Sequence, residues 1–175
     1  MQLVGPPERS LWDYLVHHHH YLGRPRIVGE HLRYLAFLQG QVVACLGWAS
    51  AAFKVSDRDR FIDWDPETRR KNLSGVANNV GFLILPWIRI PHLVSKFLAL
   101  NLRRLSGDRQ RAYGHPLYLA ETFVFNDGLV LIWKPSPINV LGYPLQVSYW
   151  QSAEGFGVSF YAFRLTHWPN GRSEF

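Results

Sequence analysis

A short run of alternating bases and acids, Arg58-Asp59-Arg60, has the clearest capacity for chemistry in this sequence. Two guanidinium groups on either side of a carboxylate can bind phosphate oxygens, while the carboxylate orients them or accepts a proton. The alternative is a salt-bridged surface loop with Phe61 and Trp64 packed beneath it. The run follows an apolar strand that ends near Ser50, and α/β proteins often place their sites at such strand ends.

Two further positions join this run as candidate catalytic residues. Glu121 interrupts an apolar segment, and burial on a strand face would raise the pKa of its carboxyl towards that of a general base. The alternative is a strand-end acid that pairs with an arginine. Arg89 and His92 flank Pro91 at the start of a predicted helix, where the helix dipole disfavours cations unless an anion joins them. We therefore predict Asp59, His92 and Glu121 as catalytic residues.

Basic residues accumulate between positions 96 and 111, where five bases stand against Asp108 alone and give a net charge of +4. A helix and loop of this kind can follow a phosphate backbone. The alternative is a solvated helix C-terminus, where basic side chains are favoured by the dipole. We predict nucleic-acid contacts from Arg58, Arg60, Arg89, Lys96, Arg103 and Arg104.

The pocket beside these residues is predicted to include His20, Tyr21, Ser50 and Asn79. Asn78-Asn79 can hydrogen-bond the edge of a base, or can end a helix as a cap. The run His17 to His20 does not predict a metal site, because at most its first and last members share a helix face. A transition metal needs three or four convergent ligands, so we assign no metal ligand.

Composition limits the class of protein. The chain of 175 residues suits one domain, and its net charge of +6 favours a polyanionic partner such as nucleic acid. The single cysteine, Cys45, excludes an internal disulfide and suits a reducing compartment. There is no signal-peptide pattern, and the longest apolar stretch, residues 80–90, is too short for a membrane span. We expect a cytoplasmic protein that does not bind a membrane.

Periodicity and turn signals predict the elements that position these residues. They are a helix over 8–20, strands over 31–38 and 41–52 joined by Gln39-Gly40, an irregular polar connection over 57–65, a helix from Asp65-Pro66 to about 77, a buried strand over 80–90, a helix over 92–105, and strands over 116–125 and 158–163.

Several blocks of this sequence resemble, in the same order, the DruA family of the Druantia anti-phage systems, whose related domains occur in or beside transposase-like proteins. The blocks are His20 to Gly23, Gly29 to Tyr34, Cys45 to Ala52, Arg58 to Trp64, Asn78 to Pro86, Pro91 to Ser95 and Glu121 to Val124. The resemblance covers residues 14–125 and implies a DruA-like domain over 1–125. Residues 126–175 depart from the family pattern and are predicted to be an atypical, frameshifted or truncated tail. The alternative is a divergent tail that still completes the sheet.

The order of elements is also similar to that of acetyltransferase-like (GNAT) proteins. This resemblance implies an α/β (α+β) fold with a mixed central sheet flanked by helices. In that superfamily the strand equivalent to 80–90 splays from its neighbour, and the loop after it offers backbone amides to a pyrophosphate. Because the loop over 87–92 lacks the usual glycines, the resemblance predicts the fold without acyl-CoA binding, and the cofactor stays unknown.

These observations predict a DruA-like protein of a phage-defence or mobile-element system that binds DNA, with other defence-system or transposase proteins as further partners. Its groove would comprise the Ser50 strand end, residues 58–60, Asn79 and residues 89–92, with residues 96–111 beside it. Two alternatives stay open: a group-transfer enzyme that modifies a nucleobase or nucleotide, and a non-functional gene remnant.

Overall fold

The structure, a computed structural model, describes residues 1–23, 25–125, 139–140, 143–144, 147–151 and 158–165. The helices are α1 (Arg9–His19), α2 (Ser56–Ile62), α3 (Pro66–Asn72) and α4 (Leu93–Tyr113), with a 3-10 turn at Leu73–Gly75. The strands are β1 (Gln2–Leu3), β2 (His31–Leu38), β3 (Gln41–Ser50), β4 (Val76–Ile84), β5 (Leu119–Phe125), β6 (Asn139–Val140), β7 (Tyr143–Pro144), β8 (Val147–Gln151) and β9 (Val158–Arg164).

Seven of the strands form one mixed sheet in the order β1-β2-β3-β4-β5-β9-β8, while β6 pairs with β7. Neighbours in the large sheet are antiparallel except β4 and β5, which run parallel. α4 lies in the connection between these two, because parallel strands need a long crossover. The predicted mixed central sheet with flanking helices is therefore confirmed.

The parallel strands β4 and β5 pair over a short stretch only. Their backbone partners are Val76 with Leu119, Ala77 with Ala120 and Asn78 with Glu121. Beyond Asn78 and Glu121 both strands continue, but they no longer pair with each other. We call the opening between them the splay.

A β-bulge in β4 lies beside the splay. Gly47 of β3 pairs with Gly81, whereas the next residue, Trp48, pairs with Asn79, so Val80 is the extra residue. Bulges increase the local twist and redirect side chains, and they are frequent next to active sites. The bulge and the end of β4–β5 pairing together open the sheet at this point.

Apolar side chains cover both faces of the sheet. On one face, Leu102 and Leu105 of α4 are buried in a cluster that includes Leu46 of β3. On the other face, Trp12 of α1 is buried in a cluster with Cys45, the next residue along β3. Because successive strand residues point to opposite faces, β3 is apolar throughout its middle.

The hairpin between β2 and β3 forms as the sequence predicts. Gln39 and Gly40 have φ angles of 50° and 81°, the left-handed pair that a two-residue type I′ turn requires. The pairing of Leu38 with Gln41 closes the loop directly against this turn. The bounds of β2 are also those predicted.

The prediction of an irregular connection over 57–65 is wrong, because residues 56–62 form α2. This segment is polar and lacks helical periodicity, so its sequence does not reveal the helix. Asp59 stabilises the first turn, since its Oδ2 accepts a hydrogen bond of 3.1 Å from the backbone N–H of Val55. Arg58 anchors the helix to the interior through contacts described below.

The predicted strand over 80–90 begins earlier and ends earlier in the structure. Asn78 and Asn79 lie within β4, so they do not cap a helix. Asparagine has low strand propensity, but pairing with β3 on one side and β5 on the other overrides that preference here. α4 extends beyond its predicted end at 105 and ends at Gly114, whose φ of 81° suits glycine.

The predicted strand over 158–163 is confirmed as β9, which pairs antiparallel with β5 along its whole length. Most of the predicted tail, at 126–138, 141–142, 145–146, 152–157 and 166–175, lies outside the described residues. The assignment of residues 126–175 as a frameshifted or truncated tail therefore stays a prediction. Among the helices of the described ranges, none has the length and apolarity needed to cross a membrane.

Candidate functional site

Glu121 lies at the closed end of the splay, and its side chain is fully buried. It projects from the strand face that carries the apolar Leu119 and Phe123. Burial raises the pKa of the Glu121 carboxyl to about 7; the Arg58 guanidinium lowers it and the Asp59 carboxylate raises it further. Loss of hydration outweighs the ion pair, so this carboxyl can exchange a proton near neutral pH.

Arg58 reaches Glu121 from α2 and is also fully buried. Its Nη1 donates to Glu121 Oε1 at 3.4 Å and to the carbonyl of Ala52 at 2.7 Å. Its Nε and Nη2 both donate to Asp59 Oδ1, at 3.1 and 2.9 Å, and Nη2 also donates to the carbonyl of Phe53 at 3.3 Å. The expected position of Arg58 on a surface groove is therefore corrected, since its guanidinium is committed to interior partners.

Asp59 links this buried pair to the surface. Its Oδ2 accepts a hydrogen bond of 2.9 Å from Nη1 of Arg69 on α3, and its side chain is 15% exposed. The Arg69 guanidinium lies 5.0 Å from the centre of the Phe53 ring. Two arginines and two carboxylates thus form one continuous set of contacts, which we call the splay network: Arg58, Asp59, Arg69 and Glu121.

One carboxylate oxygen of Glu121 accepts no hydrogen bond from the described residues. Glu121 Oε2 and Asn78 Oδ1 are buried atoms without a hydrogen-bond partner among the described residues. These two residues are backbone partners across β4 and β5, so their side chains lie on the same face. Protonation would turn Oε2 from an acceptor into a donor, and an amide oxygen is a suitable acceptor for it. The unpaired atoms therefore fit a carboxyl that can hold a proton at neutral pH.

His20 lies further along β4 on the same face. A Cβ added to Gly81 would stand 3.9 Å from His20 Nε2, and His20 Nδ1 accepts a hydrogen bond of 3.3 Å from the backbone N–H of Leu22. Burial lowers the pKa of His20. Tyr21 follows with its ring centre 4.9 Å from that of His20, and it is 61% exposed. The structure thus places His20 over β4 beyond the bulge.

Ser50 and Asn79 bind the backbone instead. Ser50 Oγ donates to the carbonyl of Glu30 at 3.4 Å, and Asn79 Nδ2 donates to the carbonyl of Gly47 at 3.2 Å. Asn79 directly follows Asn78, the backbone partner of Glu121, so its side chain leaves the sheet on the opposite face from Glu121. Both residues support the strand ends around the splay.

His92 does not join the splay network. It lies in the loop beyond the C-terminal end of β4, whereas Asn78 and Glu121 lie near the N-terminal ends of their strands. His92 is exposed, has a left-handed φ of 60° and precedes the first residue of α4. Asp59 and Glu121 therefore meet at Arg58 without His92, and the predicted catalytic set is brought together only in part.

Residues 1–142 match the family described as Druantia protein DruA. This chain belongs to the DruA family. The match covers every element from β1 to β5, including the residues of the splay network. No match was found among curated proteins.

Two of the solved structures that match this DruA-family chain are a GNAT domain and an acetyltransferase. The GNAT domain of PAT from S. lividans superposes with a TM-score of 0.52 at 10% sequence identity, covering 94% of this chain and 89% of that domain. The Drosophila melanogaster polyamine N-acetyltransferase, which forms N-acetylagmatine, gives a TM-score of 0.41 at 12% identity, covering 93% of this chain and 96% of the enzyme. The first of these likenesses establishes a GNAT-like fold, as predicted.

The basic residues predicted to contact nucleic acid differ in their exposure to solvent. Arg60, Arg89, Lys96 and Arg103 are exposed. Arg104 is half-buried, since it donates to Asp108 at 2.6 Å and to the carbonyl of Met1 at 2.9 Å. Lys96 and Arg103 are seven residues apart on α4, so they lie on one line along its solvent-facing side.

Arg109 is a second buried arginine, and it was not predicted from the sequence as part of an interior site. Arg109 of α4 is 1% exposed, and its Nη2 lies 2.6 Å from Glu30 Oε2. His115 Nε2 lies 2.8 Å from the same oxygen, and the ring of Tyr113 is 4.7 Å from the Arg109 guanidinium. The spacing of Leu102, Leu105 and Arg109 along α4 would have placed this arginine on the buried face. Arg69 carried no such signal, because its partner Asp59 lies on another helix.

The described residues contain no group of three or more histidines, cysteines or carboxylates that could hold a metal ion. In the run of histidines, His18 Nδ1 lies 2.9 Å from the carbonyl of Tyr14. The side chains of this run contact aromatic rings, as described below.

Proposed function

We propose that this DruA-family protein acts in phage defence, or in a related mobile-element system, by binding DNA. The family match supports the defence role, since the family is described by its membership of Druantia. The net charge of +6 supports a polyanionic partner. Other proteins of the same system are proposed as further partners, and the cytoplasm is the proposed location.

The observation that carries the proposal is the solvent-facing side of α4. Its exposed residues include Lys96, Leu100, Arg103, Gln110 and Arg111, and none of its exposed positions is acidic. The one acid of α4, Asp108, is buried and accepts hydrogen bonds from Arg104, Arg111 and Tyr34. We call Lys96, Arg103 and the exposed positions between them the outer stripe.

The outer stripe presents two exposed cations along one line of α4. Lys96 and Arg103 are separated by about 10 Å along the helix, at about 1.5 Å per residue. Exposed cations at such spacing displace counterions from neighbouring phosphates, which gives binding that weakens as salt rises. Arg89 precedes α4 in the chain and extends the same charge towards the loop.

A salt series with purified chain and DNA tests this proposal. Wild type should bind single- and double-stranded DNA, and log Kd should rise linearly with log salt concentration. Lys96→Gln and Arg103→Gln should each weaken binding and reduce the magnitude of the slope by about one. Lys71→Gln is the matched control, because Lys71 is 71% exposed on α3 and pairs with Glu67. A folded chain that binds neither form of DNA at low salt would overturn the proposal.

A second candidate function, group transfer to a nucleobase or nucleotide, is favoured by Glu121 alone. A buried carboxyl with a pKa of about 7 and a free Oε2 lies at the splay, where β4 and β5 leave each other. Glu121 would accept a proton from the attacking N–H or O–H of the substrate. Asp59 is the weaker candidate for this base, because both of its oxygens already accept from Arg58, Arg69 or Val55.

The pH dependence of turnover tests this second function. Nucleotides and oligonucleotides would be incubated with the chain and a panel of activated group donors, and products followed by mass spectrometry. Activity should rise with an apparent pKa near 7 and be lost in Glu121→Gln, whereas Lys96→Gln should change only substrate affinity. Unchanged turnover in Glu121→Gln would remove Glu121 as the base.

A further inference from the structure

We infer that a row of surface rings, carried by α1 and the loop after β4, stacks on unpaired bases of single-stranded nucleic acid. The rings belong to Tyr14, His17, His18, His19 and Trp87, and we call them the ring surface. This inference rests on the proposed nucleic-acid binding and specifies the form of nucleic acid that binds best.

The rings are continuous from α1 to the loop after β4. The ring centres of Tyr14 and His18 are 4.2 Å apart, those of His18 and His19 are 6.4 Å apart, and those of His19 and Trp87 are 5.2 Å apart. His17 joins the row through an edge contact of 4.9 Å with His18. Two segments that are far apart in the sequence thus present one aromatic surface.

These rings are not part of the core. α1 buries Trp12, Leu15 and Val16 against the sheet, and it leaves Tyr14 57% exposed on its other side. Trp87 is 59% exposed, although tryptophan is highly buried on average. A large ring that stays in water at no gain in packing is typical of a binding surface.

The charge around the rings selects an anionic occupant. Residues 14–22 and 86–92 contain no acid, and the second of these segments includes Arg89. Arg89 is exposed two residues after Trp87. The arrangement combines flat ring faces with a nearby cation, which is the combination that holds bases and phosphates of a single strand.

A duplex would not use the rings in this way. Bases in a duplex are already stacked on each other and expose only their edges, whereas bases in a single strand have free faces. The outer stripe can contact phosphates of either form. We therefore expect the ring surface to add affinity for single strands only.

The test measures binding of oligothymidine and of a hairpin duplex to wild type, Trp87→Ala, Tyr14→Ala and Trp87→Phe. Each alanine variant should weaken binding to oligothymidine about tenfold, since stacking is worth about 1–3 kcal/mol per base. Binding to the duplex should change less than about twofold, and Trp87→Phe should restore most of the loss. Leu38→Ala, which removes an exposed apolar side chain elsewhere, is the control.

The outcomes distinguish a failure of the proposed nucleic-acid binding from a failure of the ring surface. A wild-type chain that binds neither ligand overturns the proposed nucleic-acid binding. A wild type that binds both, with alanine variants that weaken neither or weaken both equally, overturns the ring surface and leaves the outer stripe in place. Loss of oligothymidine binding alone supports the ring surface.

Discussion

Arg58 and Arg60 lie on the same short helix, yet one belongs to the interior and the other to solvent. Arg58 is 0% exposed and donates to two carboxylates and two carbonyls, whereas Arg60 is exposed. The same contrast separates the splay network from the outer stripe of α4. In the first, charges are removed from water and matched by partners; in the second, the cations of Lys96 and Arg103 are exposed to solvent.

The surroundings of a cation decide whether it contributes mainly to the stability of the fold or to binding. A buried charge costs several kcal/mol in lost hydration unless it is paired, so each member of the splay network depends on the others. An exposed cation costs little and contributes little to stability, so its replacement should affect binding more than folding. Mutations in the two regions should therefore separate stability from binding.

The largest expected effect is on stability when Arg58 is replaced. Arg58→Met would leave the Glu121 carboxyl and one oxygen of Asp59 without their interior cation, and it should lower the free energy of unfolding by about 3 kcal/mol or more. Arg60→Met, on the same helix, should change it by less than about 0.5 kcal/mol. Urea unfolding followed by circular dichroism measures both variants. Equal losses in the two would mean that the interior network does not stabilise the fold.

The next effect is a pH dependence that belongs to Glu121. Because the pKa of this carboxyl is raised from 4.5 to about 7 in the folded chain, its stabilising contribution is complete below pH 4.5 and is lost as the pH rises towards 7. The loss amounts to about 3 kcal/mol at about 1.4 kcal/mol per pKa unit. Glu121→Gln should lack it, so wild type should lose stability relative to this variant between pH 5 and pH 8. A constant difference across that range would contradict the raised pKa.

A smaller effect tests whether the network is coupled. The Asp59 carboxylate raises the pKa of Glu121, so Asp59→Asn should lower that pKa. The Glu121 carboxyl can be followed by carbon NMR as the pH is changed. Glu67→Gln, which removes an exposed acid of α3, should leave the titration of Glu121 where it is. A midpoint that does not move in Asp59→Asn would mean that the two carboxyls titrate independently.

The elements that the sequence predicted well are those whose local pattern and tertiary role agree. β2 and the Gln39-Gly40 turn carry period-two apolar residues and a two-residue link, and both form as expected. α2 was missed because its polar residues show no helical stripe; what holds it is Arg58 bound to Glu121, 63 residues further along the chain. A contact at that separation leaves no periodic signal.

The same limit applies to the site itself. The sequence left two alternatives for Glu121, a buried base or an acid paired with an arginine, and the structure shows a carboxyl that is both buried and paired with Arg58. His92 was predicted as a catalytic residue together with Glu121. In the structure β4 and β5 run parallel, and the splay network lies near their N-terminal ends. His92 follows the opposite, C-terminal end of β4. Sequence alone does not show this separation.

The smallest effect on stability is the sharpest test of the comparison, because stability and binding should move in opposite directions. The first turn of α4 contains no acid, and Lys96 places a cation there against the helix dipole. Lys96→Glu should therefore stabilise the fold by about 0.5 kcal/mol while it weakens DNA binding about tenfold or more at low salt. Lys71→Glu, on α3, should leave DNA binding unchanged. If Lys96→Glu lowered stability and left binding intact, Lys96 would stabilise the fold as the residues of the splay network do. The outer stripe would then not be a separate binding region.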